Sequence, residues 1–206
     1  MTVVALAKTD YDVLNAVALK KMAPATVIAG ACGHDQGETE AALTRLADRG
    51  LVAVAAGSAF PTDDTERILA DSAAHLYSGV REDPEVASLA DRFETINKRF
   101  LTTMSSWQLV DVGGRTIANT HADSAYDHKV ITRLAKLVDQ LGPLLDALAG
   151  HDGRFALYQS RFAAAVSAVD AGQHDLVSSP TADSIHNIWF EFHEDLLRTL
   201  GKTRAE

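Results

Sequence analysis

Residues 24–61 constrain the fold more than any other stretch of this 206-residue chain. Residues 25–33 are a short apolar run ending in glycine, and residues 34–37 (His-Asp-Gln-Gly) are a polar break. From Glu38 to Gly50 apolar residues recur at Ala42, Leu43, Leu46 and Ala47. Intervals of three and four residues put them on one face of a helix, and Gly50 suits the left-handed position just past a helix end. Residues 51–56 then read as a strand, Gly57-Ser58 as a turn, and residues 59–62 as a returning strand. The order predicted is helix, tight turn, helix, two-stranded hairpin.

The flanks extend this pattern. In residues 10–23, Val13, Leu14, Val17, Ala18 and Met22 line one stripe, predicting a preceding helix. After the hairpin, Thr62 is a candidate N-cap, followed by acidic residues in the first turn. Ile68, Leu69, Ala73, Leu76 and Tyr77 then mark an amphipathic helix over residues 63–78. The segment AALTRLADRGLV (residues 41–52) resembles the recognition helix and first wing strand of winged helix-turn-helix regulators of the MarR and GntR types. The resemblance covers about the first third of the chain. It implies a winged-helix domain with a linker helix over residues 1–79.

Such heads read DNA with a helix in the major groove and basic side chains on phosphates. The resemblance assigns Gln36 and Thr39 to base edges, with Glu38 able to accept from a cytosine amine. It assigns Arg45, Arg49, Lys20 and Lys21 to backbone phosphates. Charge opposes this, because residues 10–67 carry five basic side chains against nine acidic ones. Phosphate neutralisation supplies most non-specific affinity, and the turn Gly57-Ser58 offers no cation. Two readings stay open: a DNA-binding head, or a winged helix used for protein contacts.

Residues 79–84 break the pattern and set a boundary, so residues 80–206 form the second domain. Pro84 is a good first residue for a helix reaching about Gln108. A turn around Gly113-Gly114 allows a short pair of strands. A long helix over 121–148, kinked by Pro143, should follow, then helices over 154–171 and 181–200. The fold class expected is mainly α: an N-terminal winged helix with a small β-wing, and a C-terminal α-helical bundle acting as a ligand-sensing or dimerisation domain.

Polar clusters in the second part invite a ligand. His186, Trp189 and His193 share one helix face, and Trp107 and His128 complete a candidate ligand-binding set. GntR-type regulators with a helical effector domain hold a metal with an Asp and three His. Here Asp123 and His128 are five apart, where that family has an Asp-x-x-x-His pair, so no metal is expected. A ligand pocket and plain packing both remain, with Asp183 or Ser184 capping the last helix and Arg198 pairing with Glu194. The phrases Ser106-Trp-Gln and the run from His186 to Gly201 resemble actinobacterial proteins that accompany phosphoenolpyruvate-utilising enzymes. The histidine-phosphorylation loop of those enzymes is absent.

The remaining observations bound the function. No P-loop, dinucleotide glycine pattern, Gly-x-Ser-x-Gly or His-Glu-x-x-His occurs, so no enzyme activity and no cofactor are expected. The formal net charge of -9 disfavours a broad nucleic-acid surface. The single cysteine, Cys32, falls on an apolar face and should be buried. The first ten residues lack the pattern of a signal peptide, and no apolar run is long enough to span a membrane, so a cytoplasmic protein is expected. The function expected is a transcriptional regulator, working as a homodimer on DNA and responding to a small-molecule effector. The alternative is a non-DNA-binding assembly or accessory subunit for a metabolic enzyme.

Overall fold

The computed structural model describes residues 5–203, which are mainly helical, with two antiparallel sheets of two strands each. The chain forms two compact units. One comprises the residues up to Asp83 together with those from Phe190 onward; the other is Pro84–Trp189.

The first unit opens with α1 (Lys8–Lys20), α2 (Ala25–Cys32) and α3 (Gln36–Asp48). The hairpin β1 (Val52–Ala55) and β2 (Ser58–Pro61) follows, then α4 (Thr65–Leu76) and α5 (Ser78–Glu82). Helix α1 is central, packing on α2, α3, α4 and β2. Tyr11, Leu14, Ile28, Leu46 and Leu69 are fully buried there. Each aliphatic side chain among them stabilises the unit by about 1.5–3 kcal/mol.

Helix α3 starts two residues before the apolar periodicity predicts, because its first turn is held by a cap instead of by packing. Asp35 Oδ1 accepts from the Glu38 N–H at 2.9 Å. In the hairpin, Ala55 pairs with Ser58, so the turn residues are Ala56 and Gly57, not Gly57 and Ser58. Their φ angles of 50° and 77° match the primed turns whose twist suits a two-residue hairpin. Ala23 forms a further antiparallel bridge with Ala59, placing the segment between α1 and α2 beside β2. Thr62 does not cap α4 as expected. Its hydroxyl donates to the Gly50 carbonyl at 2.9 Å, while Thr65 Oγ1 accepts from the Thr62 N–H at 2.8 Å.

The second unit begins with α6 (Pro84–Gln108) and the hairpin β3 (Leu109–Val112) and β4 (Arg115–Ala118). Then come α7 (Ser124–Asp139), α8 (Gly142–His151) and α9 (Ala156–Asp170), with single 3-10 turns at Gly153–Phe155 and His174–Val177. The kinked helix expected over 121–148 is instead two helices. Asp123 caps the first through the Ala125 and Tyr126 N–H groups. Pro143 sits in the first turn of α8, where a missing N–H leaves no hydrogen bond unmade. The core holds Phe93, Phe100, Leu134, Leu141, Phe155 and Phe162.

Helix α10 (Ile185–Leu200) is capped by Ser184, whose Oγ accepts from the Asn187 N–H at 3.2 Å. The expected division placed residues 80–206 in one part, whereas the second half of α10 groups with the first unit. There Glu191 pairs with Lys20 at 2.9 Å, and Asp195 accepts from Asn15 Nδ2 at 3.0 Å. Arg198 pairs with Glu66 at 2.7 Å and also donates to Asn15 Oδ1, in place of the local pairing with Glu194 that helical spacing predicts. Arg81 donates to the carbonyls of Thr199 at 2.8 Å and Arg198 at 3.1 Å, setting a cation on the negative end of the helix.

Candidate functional site

In the first unit α3 and the hairpin β1–β2 share one face. A groove of about 340 Å³ lies there, lined among others by Glu40, Leu43, Ala47, Asp48, Val54 and Ala59. Val54, paired across the hairpin with buried Ala59, is 60% exposed. Glu40 and Asp48 lie about two turns apart on the same helix, and the lining contains no lysine, arginine or histidine. An anionic ligand approaching this groove would meet carboxylates and apolar surface.

The DNA-contact candidates fall into three states. Gln36 and Arg49 are exposed, and among the described residues Arg49 has no carboxylate partner. Gln36 donates to Glu40 Oε1 at 2.8 Å. Arg45 and Lys21 are exposed but engaged: Arg45 binds Asp10 at 2.6 Å, and Lys21 lies 3.9 Å from Glu66. Thr39 and Lys20 are placed against the expectation. Thr39 is fully buried and its hydroxyl donates to the Asp35 carbonyl, an ordinary helical back-bond that leaves nothing to read a base. The Lys20 side chain is only 12% exposed and held by Glu191.

Of the ligand-binding candidates, Trp107, His128, His186 and Trp189 belong to the second unit and His193 to the first. Trp189 is 2% exposed and stacks on Phe100, with ring centroids 3.9 Å apart and planes 1° apart. Its indole N–H donates to Asn97 Oδ1 at 3.0 Å. Trp107 is also buried and donates to Ser178 Oγ at 3.2 Å. These tryptophans are core residues with satisfied N–H groups, not the walls of an open pocket, and His193 is buried as well. His128 is exposed. His186 is half-buried against Phe100, and burial pushes its imidazole below the ordinary value of 6.5. Cys32 is buried, and burial raises its thiol, which favours the unreactive protonated form.

One polar cluster falls in the His- and Asp-rich run from His121 to His128 and adds Asn119, which that run does not include. The buried carboxylate of Asp127 accepts from Asn119 Nδ2 at 2.9 Å and lies 3.0 Å from His121 Nδ1. The His121 ring packs 4.2 Å from Trp107, and Asn119 Nδ2 also reaches the Trp107 carbonyl at 3.1 Å. This cluster ties the β3–β4 hairpin to the start of α7. Helical spacing could not find it, because Asn119 and His121 precede the helix. Among the described residues, no group of three or more His, Cys, Asp or Glu is arranged to hold a metal ion.

No family profile, curated protein or solved structure matches the chain. The functional reading therefore rests on the geometry of these two units.

Proposed function

We propose that the first unit is a winged helix used to dock on another protein, and that the chain is a non-enzymatic accessory or assembly subunit. The order helix, helix, helix, hairpin supports the winged-helix reading, as does the Ala23–Ala59 bridge beside the hairpin. The observation that carries the protein-docking reading is the lining of the α3–hairpin groove: Leu43, Ala47, Val54 and Ala59, with Glu40 and Asp48 and no cation. A phosphate backbone is repelled by such a lining, whereas an apolar segment flanked by lysine or arginine fits it. In this reading the second unit is a helical bundle for effector binding or self-association.

A second reading, a transcriptional regulator with a DNA-binding head, is favoured by the same helix order and by exposed Gln36 and Arg49. One experiment separates the two. A photo-crosslinking residue at position 54, introduced in the cells of origin, should give one discrete protein adduct that Glu40→Lys abolishes. In parallel, the purified protein should retain no genomic DNA fragment even at low salt. Retention with a salt slope that falls by about one on Arg49→Ala would establish the DNA reading instead.

A further inference from the structure

The second unit carries nine basic and twelve acidic residues, yet four of its cations converge on one groove. Lys98 and Arg99 reach it from α6, and Arg133 and Lys136 from α7. The groove measures about 470 Å³ and no carboxylate lines it. Among the described residues none of these four cations has a carboxylate partner. The Arg99 guanidinium is positioned by a neutral group, donating to Gln140 Oε1 at 3.0 Å, while Gln140 Nε2 donates to the Lys136 carbonyl at 3.1 Å. The amide therefore orients the guanidinium without neutralising it. Like charges one turn apart repel, so this arrangement costs stability unless an anion occupies the groove.

We propose that the α6–α7 groove binds a small anion carrying one or more phosphate groups. Two guanidinium forks and two ammonium groups match the charge and the multiple acceptor oxygens of a phosphate or diphosphate better than those of a single carboxylate. The volume falls in the range of small-molecule sites, about 300–1,000 Å³. The positive patch is also bounded along both helices. Asp91 and Glu94 stand on α6 ahead of Lys98, and Asp139 follows Lys136 on α7. A long nucleic-acid backbone laid along either helix would run onto these carboxylates, while a compact anion would not.

The test is calorimetric titration of inorganic pyrophosphate into the full chain at low salt, with a nucleoside diphosphate in a second arm. Saturable 1:1 binding of pyrophosphate is expected, and an organic body that contributes contacts makes the second arm tighter. Arg133→Gln and Lys136→Gln should each weaken pyrophosphate binding about 10-fold, the loss of a charge-assisted contact. Lys129→Gln, one turn from Arg133 but outside the groove, should change it less than 2-fold. All three side chains are exposed, so circular dichroism and melting should confirm an unchanged fold. The proposal is overturned if pyrophosphate shows no saturable binding, or if Lys129→Gln weakens it as much as the groove variants do. It is equally overturned if duplex DNA binds through these cations and pyrophosphate does not.

Discussion

Changing Trp189 to Phe should destabilise the second unit by about 2–4 kcal/mol, although the variant keeps an aromatic ring at that position. The ring of Trp189 lies between Phe100, at 3.9 Å, and Phe93, at 5.8 Å, with the edge of Phe162 against it at 6.1 Å. Phenylalanine preserves most of this stacking. It removes the N–H that satisfies Asn97 Oδ1 and leaves a buried acceptor unpaired, at about 1–3 kcal/mol. The smaller ring leaves a void, which supplies the remainder. For a chain of this size each kcal/mol moves the melting temperature by about 2–4 °C. The polar contribution is isolated by adding Asn97→Leu, since removing both partners of a buried hydrogen bond can be nearly neutral. The double variant should recover at least about 1 kcal/mol relative to the sum of the single changes. The assay is urea unfolding followed by the fluorescence of Trp107, which is the one tryptophan left in the Trp189→Phe protein and reports on the same unit. A loss below about 0.5 kcal/mol for Trp189→Phe, or strict additivity in the cycle, would refute the reasoning.

Three further outcomes are expected. His186 is depressed below 6.5 by burial, so the unfolded chain takes up its proton first as pH falls; the stability it contributes is present above 6.5 and lost below it. The urea midpoint should therefore drop between pH 7 and pH 5 more steeply in the wild type than in His186→Phe, and a nuclear magnetic resonance titration should place the imidazole below 6.5. Ala56 holds a φ of 50° at a hairpin position that favours asparagine, so Ala56→Asn should stabilise the first unit by roughly 0.5–1 kcal/mol, read as a higher melting temperature. Gly201 has a φ of 66°, and a Cβ there would lie 2.9 Å from Arg81 Cζ. Gly201→Ala should then cost about 1–2 kcal/mol, and an unchanged melt would show that the helix end relaxes freely.

Helices α1 to α4 are largely legible because each carries an apolar stripe, whereas α5 (Ser78–Glu82) lies where Gly79 and Pro84 read as a break and is too short to show a stripe. Residues 36–37 and the start of α4 are not legible, since their limits are set by hydrogen bonds of Asp35 and Thr65 that leave no trace in hydropathy. The break at Leu141-Gly142 reads in the sequence as a kink because proline has the same signature inside a helix and in its first turn. The site residues were harder still. Face-sharing placed His186, Trp189 and His193 together, but a shared face does not distinguish a pocket wall from a packed core, and Trp189 and His193 are buried. The basic groove is not legible in the sequence because Lys98 and Arg133 are remote along the chain and meet only when α6 packs on α7. Lys20 reads as a free surface cation because its partner, Glu191, is far along the chain.

The division of α10 between the two units sets an order of events during synthesis. A ribosome releases α1 to α5 well before it reaches residue 190. Until then the carboxylate that accepts from Asn15 and the guanidinium that pairs with Glu66 have not been made. The second unit is contiguous and can fold as it emerges, while the first must wait for the final helix and close across the whole intervening stretch. Loss of residues after 189 by premature termination would thus damage the unit whose first five helices emerge before α6 to α9.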